Sequence, residues 1–191
     1  MQNHFFAILS RMKNIYRWGL MRNTKTENLS EHSLEVAFIA HALCIIENEK
    51  FGGNIDPNKA AVVAMYHDTT EIITGDMPTP IKYYNPQIKE VYKDIEGIAA
   101  NKLVSMLPDY MQDKFQPIYF CEDESINKIV KAADKISAYI KCLEEMKMGN
   151  GEFTVASKTI KQSIEKMNMP CVDLFMTDFI PSFSLSLDEQ N

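Results

Sequence analysis

The sequence predicts an all-α protein that folds as a single helical bundle. Apolar residues recur at helical spacing along most of the 191-residue chain, whereas alternating patterns long enough for β-strands, internal repeats and linkers are absent. A chain of this length normally forms one domain and buries roughly 70% of its unfolded surface, so it can fold without disulfides. We therefore expect one domain over residues 1–191.

The first helices are marked by an apolar stripe and by capping residues. Four apolar residues lie at helical spacing near the N-terminus, namely Phe5, Phe6, Leu9 and Met12. They predict a helix over residues 1–14, which breaks at Trp18-Gly19. Asn28 and Glu31 have the spacing of a capping box and predict a helix that runs to about Asn48.

The next helix is predicted to lie in the middle of the bundle. Asp56 and Pro57 are typical of a cap and a first helical position, and the segment from Pro57 to about Ile73 is apolar almost all round. Two prolines follow a glycine in the segment 75–80, which is therefore predicted to be non-helical. Further helices are predicted over residues 87–106, 122–148, 152–166 and 172–180.

The net charge limits the classes of partner. Lysine and arginine number 20 against 26 aspartates and glutamates, which gives a net charge of −6. A non-specific binder of nucleic acid is normally basic, so we expect no nucleic acid polymer as a partner. Small anionic substrates remain compatible with this charge, because a metal ion or a few arginines create a local positive site.

The cysteines and the hydropathy pattern indicate a cytoplasmic protein. The four cysteines have neither the spacing of a zinc site nor that of a redox pair, so reduced thiols are expected. No apolar run approaches the roughly 18 residues that cross a bilayer, and the N-terminus lacks the apolar region of a signal peptide. We expect no membrane as a partner.

Ionisable residues are concentrated at the far end of the apolar central helix. His67, Asp68 and Glu71 converge there on one helical face. Burying three such groups costs several kcal/mol unless something compensates their polarity. A divalent metal would compensate it.

Two more residues extend this candidate ligand set. His32 lies in the first turns of another helix, and Asp134 borders the apolar stripe of a third, where a partly exposed edge position is an equally good interpretation. His41 projects away from His32, and it and His4 are interpreted as packing or surface residues. A set of two imidazoles and two carboxylates suits Mn, Fe, Co or Zn, but spacing alone does not bring these residues together.

Distinctive sequence blocks extend over nearly the whole chain, from Phe5 to about Glu189. They are Phe5-Phe6, Arg17-Trp18, Leu20-Met21-Arg22-Asn23, Thr26-Glu27-Asn28, Ser30-Glu31-His32-Ser33, Met65-Tyr66-His67-Asp68, Glu71, Thr74-Gly75-Asp76, Pro78-Thr79-Pro80 and Pro181-Ser182-Phe183. Together with Asp134 on an all-α chain, they resemble the bacterial HD-domain 5′-deoxynucleotidases, a family of the HD-domain metal-dependent phosphohydrolase superfamily. The resemblance implies an HD-type bundle whose core spans about residues 28–145.

The resemblance implies one divalent transition metal ion per chain, held by His32, His67, Asp68 and Asp134. Co²⁺ or Mn²⁺ is the expected ion, with Zn²⁺, Fe²⁺ or Cu²⁺ as alternatives. The implied substrate is a 2′-deoxyribonucleoside 5′-monophosphate. A metal-activated water would hydrolyse it to the deoxynucleoside and phosphate.

The resemblance also implies roles at the phosphate. Glu71 and Asp68 would be catalytic, with Glu71 exchanging protons with the water or the leaving 5′-oxygen. Arg17 would pair with the phosphate, and Trp18 would bind and orient it, so that Trp18 also counts as catalytic. Three of the metal ligands would contact the substrate as well, namely His32, Asp68 and Asp134.

The sugar pocket is implied to lie just after the catalytic glutamate. The residues that would line it are Asp76, Met77, Pro78 and Thr79. Asp76 would accept a hydrogen bond from the 3′-hydroxyl of the substrate. Gly19 stands where proline is expected in close relatives. Because glycine loosens a loop, we expect the preference for deoxy over ribo substrates to persist but to be weaker.

Other functions remain open at this point. The second metal site of HD phosphodiesterases is not expected, because no histidine follows His67. The alternatives are an alarmone hydrolase and a non-catalytic HD module that senses nucleotides, while a purely structural protein would bind no stoichiometric metal. The resemblance also implies a homodimer, for which an apolar C-terminal cluster could supply the interface: Leu174, Phe175, Phe179, Ile180 and Phe183.

Overall fold

The computed structural model describes residues 3–78, 81 and 84–190. The α-helices bounded within these ranges are α1 (Phe5–Leu9), α2 (Leu29–Phe51), α3 (Pro57–Tyr66), α4 (Glu71–Thr74), α5 (Pro86–Val104), α6 (Asp109–Tyr119), α7 (Glu124–Lys147), α8 (Thr154–Glu165) and α9 (Pro170–Asp178). Short 3₁₀ segments follow α1 and α9 and precede α8. The described ranges contain no β-structure beyond one bridge between Tyr16 and Asn28, so the predicted all-α fold is confirmed.

The N-terminal helix is shorter than the predicted one. Helix α1 ends at Leu9, and residues 10–14 continue as a 3₁₀ turn. Phe5 and Met12 are buried, as the stripe predicts, whereas Phe6 is 57% exposed. Phe6 lies within α1, about 100° round the helix from the buried Phe5, so it projects away from the buried face.

Helix α2 begins with the predicted capping box. The side-chain oxygen of Asn28 accepts hydrogen bonds from the N–H groups of Ser30 and Glu31, and the Glu31 carboxylate accepts one from the N–H of Asn28. At the other end, Gly52 has a φ of 73°, the left-handed conformation in which glycine ends helices.

Helix α3 begins at Pro57 as predicted but ends at Tyr66 rather than near Ile73. A tight turn follows, in which the N–H of Glu71 donates to the Asp68 carbonyl at 3.0 Å. Helix α4 then begins at Glu71. His67 and Asp68 therefore lie in a turn between two helices and not within one long helix.

The remaining helices agree with the predicted ones, with one exception. Helices α5, α7, α8 and α9 begin and end within about two residues of the predicted bounds. Helix α6 was not predicted. Its signal was missed: Met111, Phe115 and Tyr119 recur at four-residue spacing and pack, partly buried, against the cluster around Phe5, although the helix contains Pro117.

The core is built around α2, α3 and α7. Helix α2 packs against α3, α7 and α9, and α7 also packs against α8. Val36, Leu43, Ile129 and Ile136 are fully buried in this core, and each such side chain contributes roughly 1.5–3 kcal/mol of hydrophobic stabilisation. Helix α3 packs on this core through Ala60, Val63 and Ala64, whereas Met65 is 40% exposed, so it is not enclosed on all sides as its apolar sequence predicts.

The C-terminal apolar cluster mostly covers this core. Phe175 and Ile180 are buried and belong to it, whereas Phe179 is 50% exposed. The side chains proposed for an interface are therefore largely used within the chain.

Helix α2 is long and apolar enough to cross a membrane, by length and composition alone. This corrects the expectation that the chain contains no such segment. Half of its most apolar window is buried inside the protein, where α2 contacts α3, α7 and α9. This packing accounts for its apolar composition.

The segment before α2 lies beside the start of that helix. The N–H of Arg17 donates to the Glu27 carbonyl at 2.9 Å, and the N–H of Leu29 donates to the Ile15 carbonyl at 3.0 Å. This short pairing holds Arg17 and Trp18 next to the first turn of α2. The turn after α3 and the middle of α7 reach the same place, as the contacts below show.

Candidate functional site

Two histidines and two aspartates meet where α2, α3 and α7 converge. His32 Nε2 lies 3.4 Å from Asp68 Oδ2 and 3.2 Å from Asp134 Oδ1, and His67 Nε2 lies 3.2 Å from Asp68 Oδ2. Ligand atoms of His32, His67 and Asp68 all lie within 4.8 Å of one another. We call these four residues the metal cluster. The fold thus joins residues that their spacing in the sequence could not join.

The histidine nitrogens of this cluster are arranged as metal ligands. Both Nε2 atoms are buried and form no hydrogen bond with any residue that the structure describes. The Nδ1 of His67 contacts the Ala64 carbonyl oxygen at 2.7 Å. Because a carbonyl only accepts, His67 carries a proton on Nδ1, and Nε2 is the nitrogen that faces Asp68. Burial lowers the pKa of His67, but Asp68 outweighs it and raises that pKa to about 9. A metal would therefore displace a proton from Nε2 and leave the Nδ1–H tautomer that it requires.

A second hydrogen-bonded pair orients the other histidine. The Nδ1 of His32 lies 3.1 Å from the Ser137 hydroxyl, which itself donates to the Glu35 carboxylate. The hydroxyl therefore accepts from His32 Nδ1–H and leaves Nε2 free for a metal. Ser137 and Glu35 were not predicted as site residues. Each follows a cluster residue by three positions, Asp134 and His32 respectively, and this helical spacing was the available signal.

The charges around the cluster favour a divalent cation. The Arg17 guanidinium lies 3.0 Å from Asp68, 3.4 Å from Glu27 and 3.9 Å from Asp134. One positive charge therefore faces three carboxylates, and a divalent ion would balance the excess. Imidazole nitrogens with carboxylate oxygens form a donor set that fits a first-row transition metal.

Both aspartates of the cluster are ionised. Burial raises the pKa of Asp68, but His67, His32 and Arg17 outweigh it and hold that pKa well below its usual value. Burial also raises the pKa of Asp134, but the neighbouring His32 ring, whose Nε2 lies 3.2 Å from Oδ1, outweighs it, so this pKa is lowered too. Carboxylates must be deprotonated to bind a metal, and these two meet that condition.

Trp18 is held in an unusual backbone conformation. Its φ is 60°, a left-handed value that costs a bulky residue about 1–2 kcal/mol. The indole Nε1–H donates to the Glu27 carboxylate at 2.8 Å, and the ring packs on Phe153 with centroids 5.3 Å apart. These contacts fix the side chain beside Arg17. Glu27 was not predicted as a site residue, although it lies in one of the distinctive sequence blocks.

The other predicted substrate residues lie around these groups. Glu71 is buried and begins α4, immediately after the turn that carries the metal ligands. Burial raises the pKa of Asp76 above its usual value, and the opposing effects of Arg17 and of the Trp18 backbone are smaller. Two neighbours in the predicted sugar pocket, Met77 and Pro78, are half-buried. The third, Thr79, lies outside the described residues.

Three further residues that the sequence analysis discussed, Gly19, His4 and His41, are not part of the metal cluster. Gly19 is exposed, and no described atom lies within 4 Å of the position that a Cβ would occupy. His4 is exposed and His41 is half-buried, and neither belongs to the metal-binding group found among the described residues.

A cavity of about 440 Å³ adjoins the metal cluster. His67 and Asp134 line one part of it, and Lys93, Tyr119 and Lys131 line other parts. Its volume is in the range of pockets that bind small molecules. Arg17, Trp18 and Asp76, which the structure describes and which are predicted to bind the phosphate and the sugar, do not line this cavity, so it opens onto the metal cluster but is not the predicted substrate pocket.

Comparisons with known proteins agree with this arrangement. A 5′-deoxynucleotidase of Pectobacterium atrosepticum is 55% identical to this chain, over 98% of this chain and 96% of that protein. The crystal structure of an HD-domain phosphohydrolase from Listeria innocua matches with a TM-score of 0.82 at 23% identity, covering 98% of this chain and 91% of that one.

A third structure matches at lower similarity. It is the HD phosphohydrolase of cyanophage S-2L, bound to dA and one catalytic Zn²⁺ ion, with a TM-score of 0.66 and 19% identity over 93% of this chain and 95% of that one. At such identities the two structures show the shared HD-type fold alone. The family profile described as 5′-deoxynucleotidase YfbR-like matches residues 4–183. With this match over nearly its whole length, the chain belongs to the YfbR-like 5′-deoxynucleotidase family.

Proposed function

We propose that this protein hydrolyses 2′-deoxyribonucleoside 5′-monophosphates to the deoxynucleoside and phosphate. The observation that carries the proposal is the pair of buried Nε2 atoms beside two ionised aspartates, in a chain that is 55% identical to a 5′-deoxynucleotidase. Such a site is built to bind one metal ion, and the family supplies the reaction that this ion serves.

His32, His67, Asp68 and Asp134 hold the ion, and we expect Co²⁺ or Mn²⁺, with Zn²⁺, Fe²⁺ or Cu²⁺ as alternatives. The mixed nitrogen and oxygen donors support an ion of this class. The Zn²⁺ ion in the cyanophage protein is consistent with the same class. When bound, the ion lowers the pKa of a water and shields the charge of the phosphate.

Arg17 and Trp18 bind and orient the phosphate. Arg17 lies 3.0 Å from Asp68, so its guanidinium is already beside the place where the phosphate would meet the metal cluster. Its planar donors suit a bidentate contact with two phosphate oxygens. Trp18 follows directly in the chain and packs against this side of the site, where it limits the orientations of the phosphate.

Glu71 serves as the general acid and base. It is buried at the start of α4, next to the turn that presents Asp68. In the reaction, water oxygen bonds to phosphorus and the bond from phosphorus to the 5′-oxygen breaks. Glu71 takes a proton from the water and returns one to the leaving 5′-oxygen.

Asp76 selects the sugar by accepting a hydrogen bond from the 3′-hydroxyl. Its position beside Arg17 and the Trp18 backbone supports this assignment, and Met77, Pro78 and Thr79 complete the pocket. A buried contact of this kind penalises substrates that lack the hydroxyl. The glycine at position 19 leaves the loop after Trp18 less restricted, so we expect discrimination against ribonucleotides to be weaker.

We place the enzyme in the cytoplasm as a homodimer of single HD-type domains, each with its HD core from about residue 28 to 145. Four free cysteines, three of them buried, support a reducing compartment. Light scattering on the purified protein tests the dimer. A monomer at all concentrations would contradict it.

The experiment that tests the function is phosphate release after chelation and re-addition of Co²⁺ or Mn²⁺. The substrates are deoxy- and ribonucleoside 5′-monophosphates, a 3′-monophosphate, a cyclic nucleotide and a guanosine tetraphosphate. Asp68→Ala and Glu71→Ala are assayed in parallel. We expect metal-dependent release that favours the deoxy 5′-monophosphates and is lost in both variants.

Other outcomes would indicate other functions. Hydrolysis of the guanosine tetraphosphate alone would identify an alarmone hydrolase. Stoichiometric metal binding without hydrolysis of any substrate would favour a nucleotide-sensing module. Equal rates on a ribonucleotide and its deoxy counterpart would contradict the proposed selection by the sugar pocket.

A further inference from the structure

The carboxylate of Glu27 contacts both residues that the proposed function assigns to the phosphate. Its Oε2 atom accepts from the indole Nε1–H of Trp18 at 2.8 Å and lies 3.4 Å from Nε of Arg17. Its backbone carbonyl also accepts from the N–H of Arg17 at 2.9 Å. One residue therefore holds a guanidinium and an indole that are adjacent in the chain.

Both contacts are partly buried; the one to Trp18 is a hydrogen bond, whereas Nε of Arg17 meets Glu27 as an ion pair without hydrogen-bond geometry. The side chains of Arg17 and Glu27 are 14% and 13% exposed, so their interaction is screened less than that of a surface pair. Arg17 contacts Glu27 through Nε and the metal cluster through its terminal nitrogens, which lie toward Asp68 and Asp134. This orientation points the forked end of the guanidinium at the metal cluster, where it pairs with Asp68 in the substrate-free protein and would also meet a phosphate that binds there.

The backbone conformation of Trp18 requires stabilising contacts of this kind. A tryptophan at a φ of 60° persists only where surrounding contacts stabilise it. Phe153 contacts one part of the ring, and Glu27 accepts from its only polar atom. Without the Glu27 contact, the indole would be free to leave the position in which it borders the phosphate.

We infer that Glu27 is a positioning residue that fixes Arg17 and Trp18 in the orientation that binds the substrate phosphate. The inference rests on the proposed function for its kinetic consequence, but its structural part concerns the substrate-free protein. Glu27 itself neither ligates the metal nor touches the reacting atoms. It acts through the two side chains that it holds.

Two variants separate the two contacts. Glu27→Gln keeps an oxygen that accepts from the Trp18 indole but removes the charge opposite Arg17, whereas Glu27→Ala removes both. Glu31→Gln is the matched control. Glu31 is an exposed glutamate four residues later, it caps the N–H of Asn28, and glutamine serves equally well in a capping box.

Trp18 is the sole tryptophan, so fluorescence of the purified full-length protein reports on its position without substrate. We expect acrylamide to quench Glu27→Ala more strongly than wild type, with Glu27→Gln and Glu31→Gln close to wild type. In steady-state assays with 2′-deoxyadenosine 5′-monophosphate, we expect the KM of Glu27→Ala to rise about tenfold, the loss typical of a charge-assisted contact. Glu27→Gln should lie between Glu27→Ala and wild type.

Each alternative gives a different pattern. If Glu27 serves only folding, both Glu27 variants lose active protein, so the apparent kcat falls while KM and the quenching of the folded fraction stay unchanged. If the carboxylate only offsets positive charge, its removal lowers KM in both variants. Either pattern overturns the inference. Wild-type protein that releases no phosphate would refute the proposed function, while unchanged quenching in Glu27→Ala would refute the positioning role independently.

Discussion

Helix α7 contributes to two buried charged clusters that differ in how completely their polar atoms are satisfied. Asp134 and Ser137 belong to the site described above, where two histidine nitrogens have no hydrogen-bond partner among the described residues. Lys141 and Glu145, about two turns later along the helix, form the second cluster. Both combine charges from α7 with the segment that precedes α2.

The second cluster is saturated. The carboxylate of Glu145 accepts from Lys141, from the N–H groups of Thr24 and Lys25, and from the Asn150 side chain. Lys141 also donates to the Lys25 carbonyl. Burial raises the pKa of Glu145, but these hydrogen bonds outweigh it and hold the pKa well below its usual value. This cluster fastens the segment before α2 to α7.

This difference indicates that the two clusters have different roles: one stabilises the fold and the other binds a cation. The Glu145 carboxylate accepts four hydrogen bonds, and Lys141 donates two and lies over the Phe153 ring, so this pair holds chain segments together and leaves no group aimed at a ligand. The metal cluster has an excess of carboxylates and two unused nitrogens, so it is complete only with a cation. Helix α7 therefore contributes to a stabilising contact at one position and to a binding site at another.

The largest effect on stability is expected from breaking the saturated cluster. Glu145→Ala leaves Lys141 buried without its counter-charge and should lower the free energy of unfolding by about 3–5 kcal/mol. Urea denaturation measures this loss. Glu144→Ala, one residue earlier on α7 and only half-buried, is the control and should change stability by about 0.5 kcal/mol or less. Equal decreases in the free energy of unfolding of the two variants would show that the cluster does not stabilise the packing of the segment before α2 on α7.

The metal cluster should behave in the opposite way. In metal-free protein, Asp134→Asn should change the free energy of unfolding by no more than about 0.5 kcal/mol, because Asp134 is partly exposed and borders other carboxylates. Adding Co²⁺ at about 100 times its Kd should stabilise the wild type by about 2.7 kcal/mol. We expect most of this gain to be absent in Asp134→Asn. A loss of several kcal/mol without metal would place Asp134 in a structural role.

A smaller effect is expected from the residue that orients His32. Ser137→Ala removes the hydroxyl at His32 Nδ1 and should weaken metal binding about tenfold, as loss of such outer contacts does. Isothermal titration calorimetry with Co²⁺ measures the change. Ser163→Ala, which removes a partly buried hydroxyl on α8, is the control and should bind as the wild type does. Unchanged affinity in Ser137→Ala would contradict the orienting role.

The smallest effect is expected in how the free energy of unfolding changes with pH under acidic conditions. Because the pKa of Glu145 is lowered in the folded protein, its contribution to stability is fully present above the ordinary glutamate pKa of about 4.5 and is lost as the pH falls below that value. The free energy of unfolding of wild type should therefore decrease more steeply below pH 4.5 than that of Glu145→Gln. Parallel curves, measured by urea denaturation at several pH values, would show that Glu145 titrates normally.

Local signals in the sequence determined where several elements begin. The Asn28–Glu31 capping box and the Asp56-Pro57 pair predict the starts of α2 and α3 correctly, because caps depend on side chains a few residues apart. The apolar stripe of α7 predicts that helix to within about two residues. Distinctive blocks in order along the chain also sufficed to indicate the family, which the profile match over residues 4–183 confirms.

The tertiary structure decided which side chains meet. The end of α3 at Tyr66 is set by the turn that presents His67 and Asp68. The turn residues 67–70 are polar but include no glycine or proline that would mark a helix end in the sequence. The roles of Glu27 and Ser137 depend on contacts with Trp18 and His32, made by segments that approach only in the fold. Periodicity and caps report on neighbours within one or two helical turns, whereas a metal site, its excess charge and the hydrogen bonds that orient it are made by segments brought together by packing.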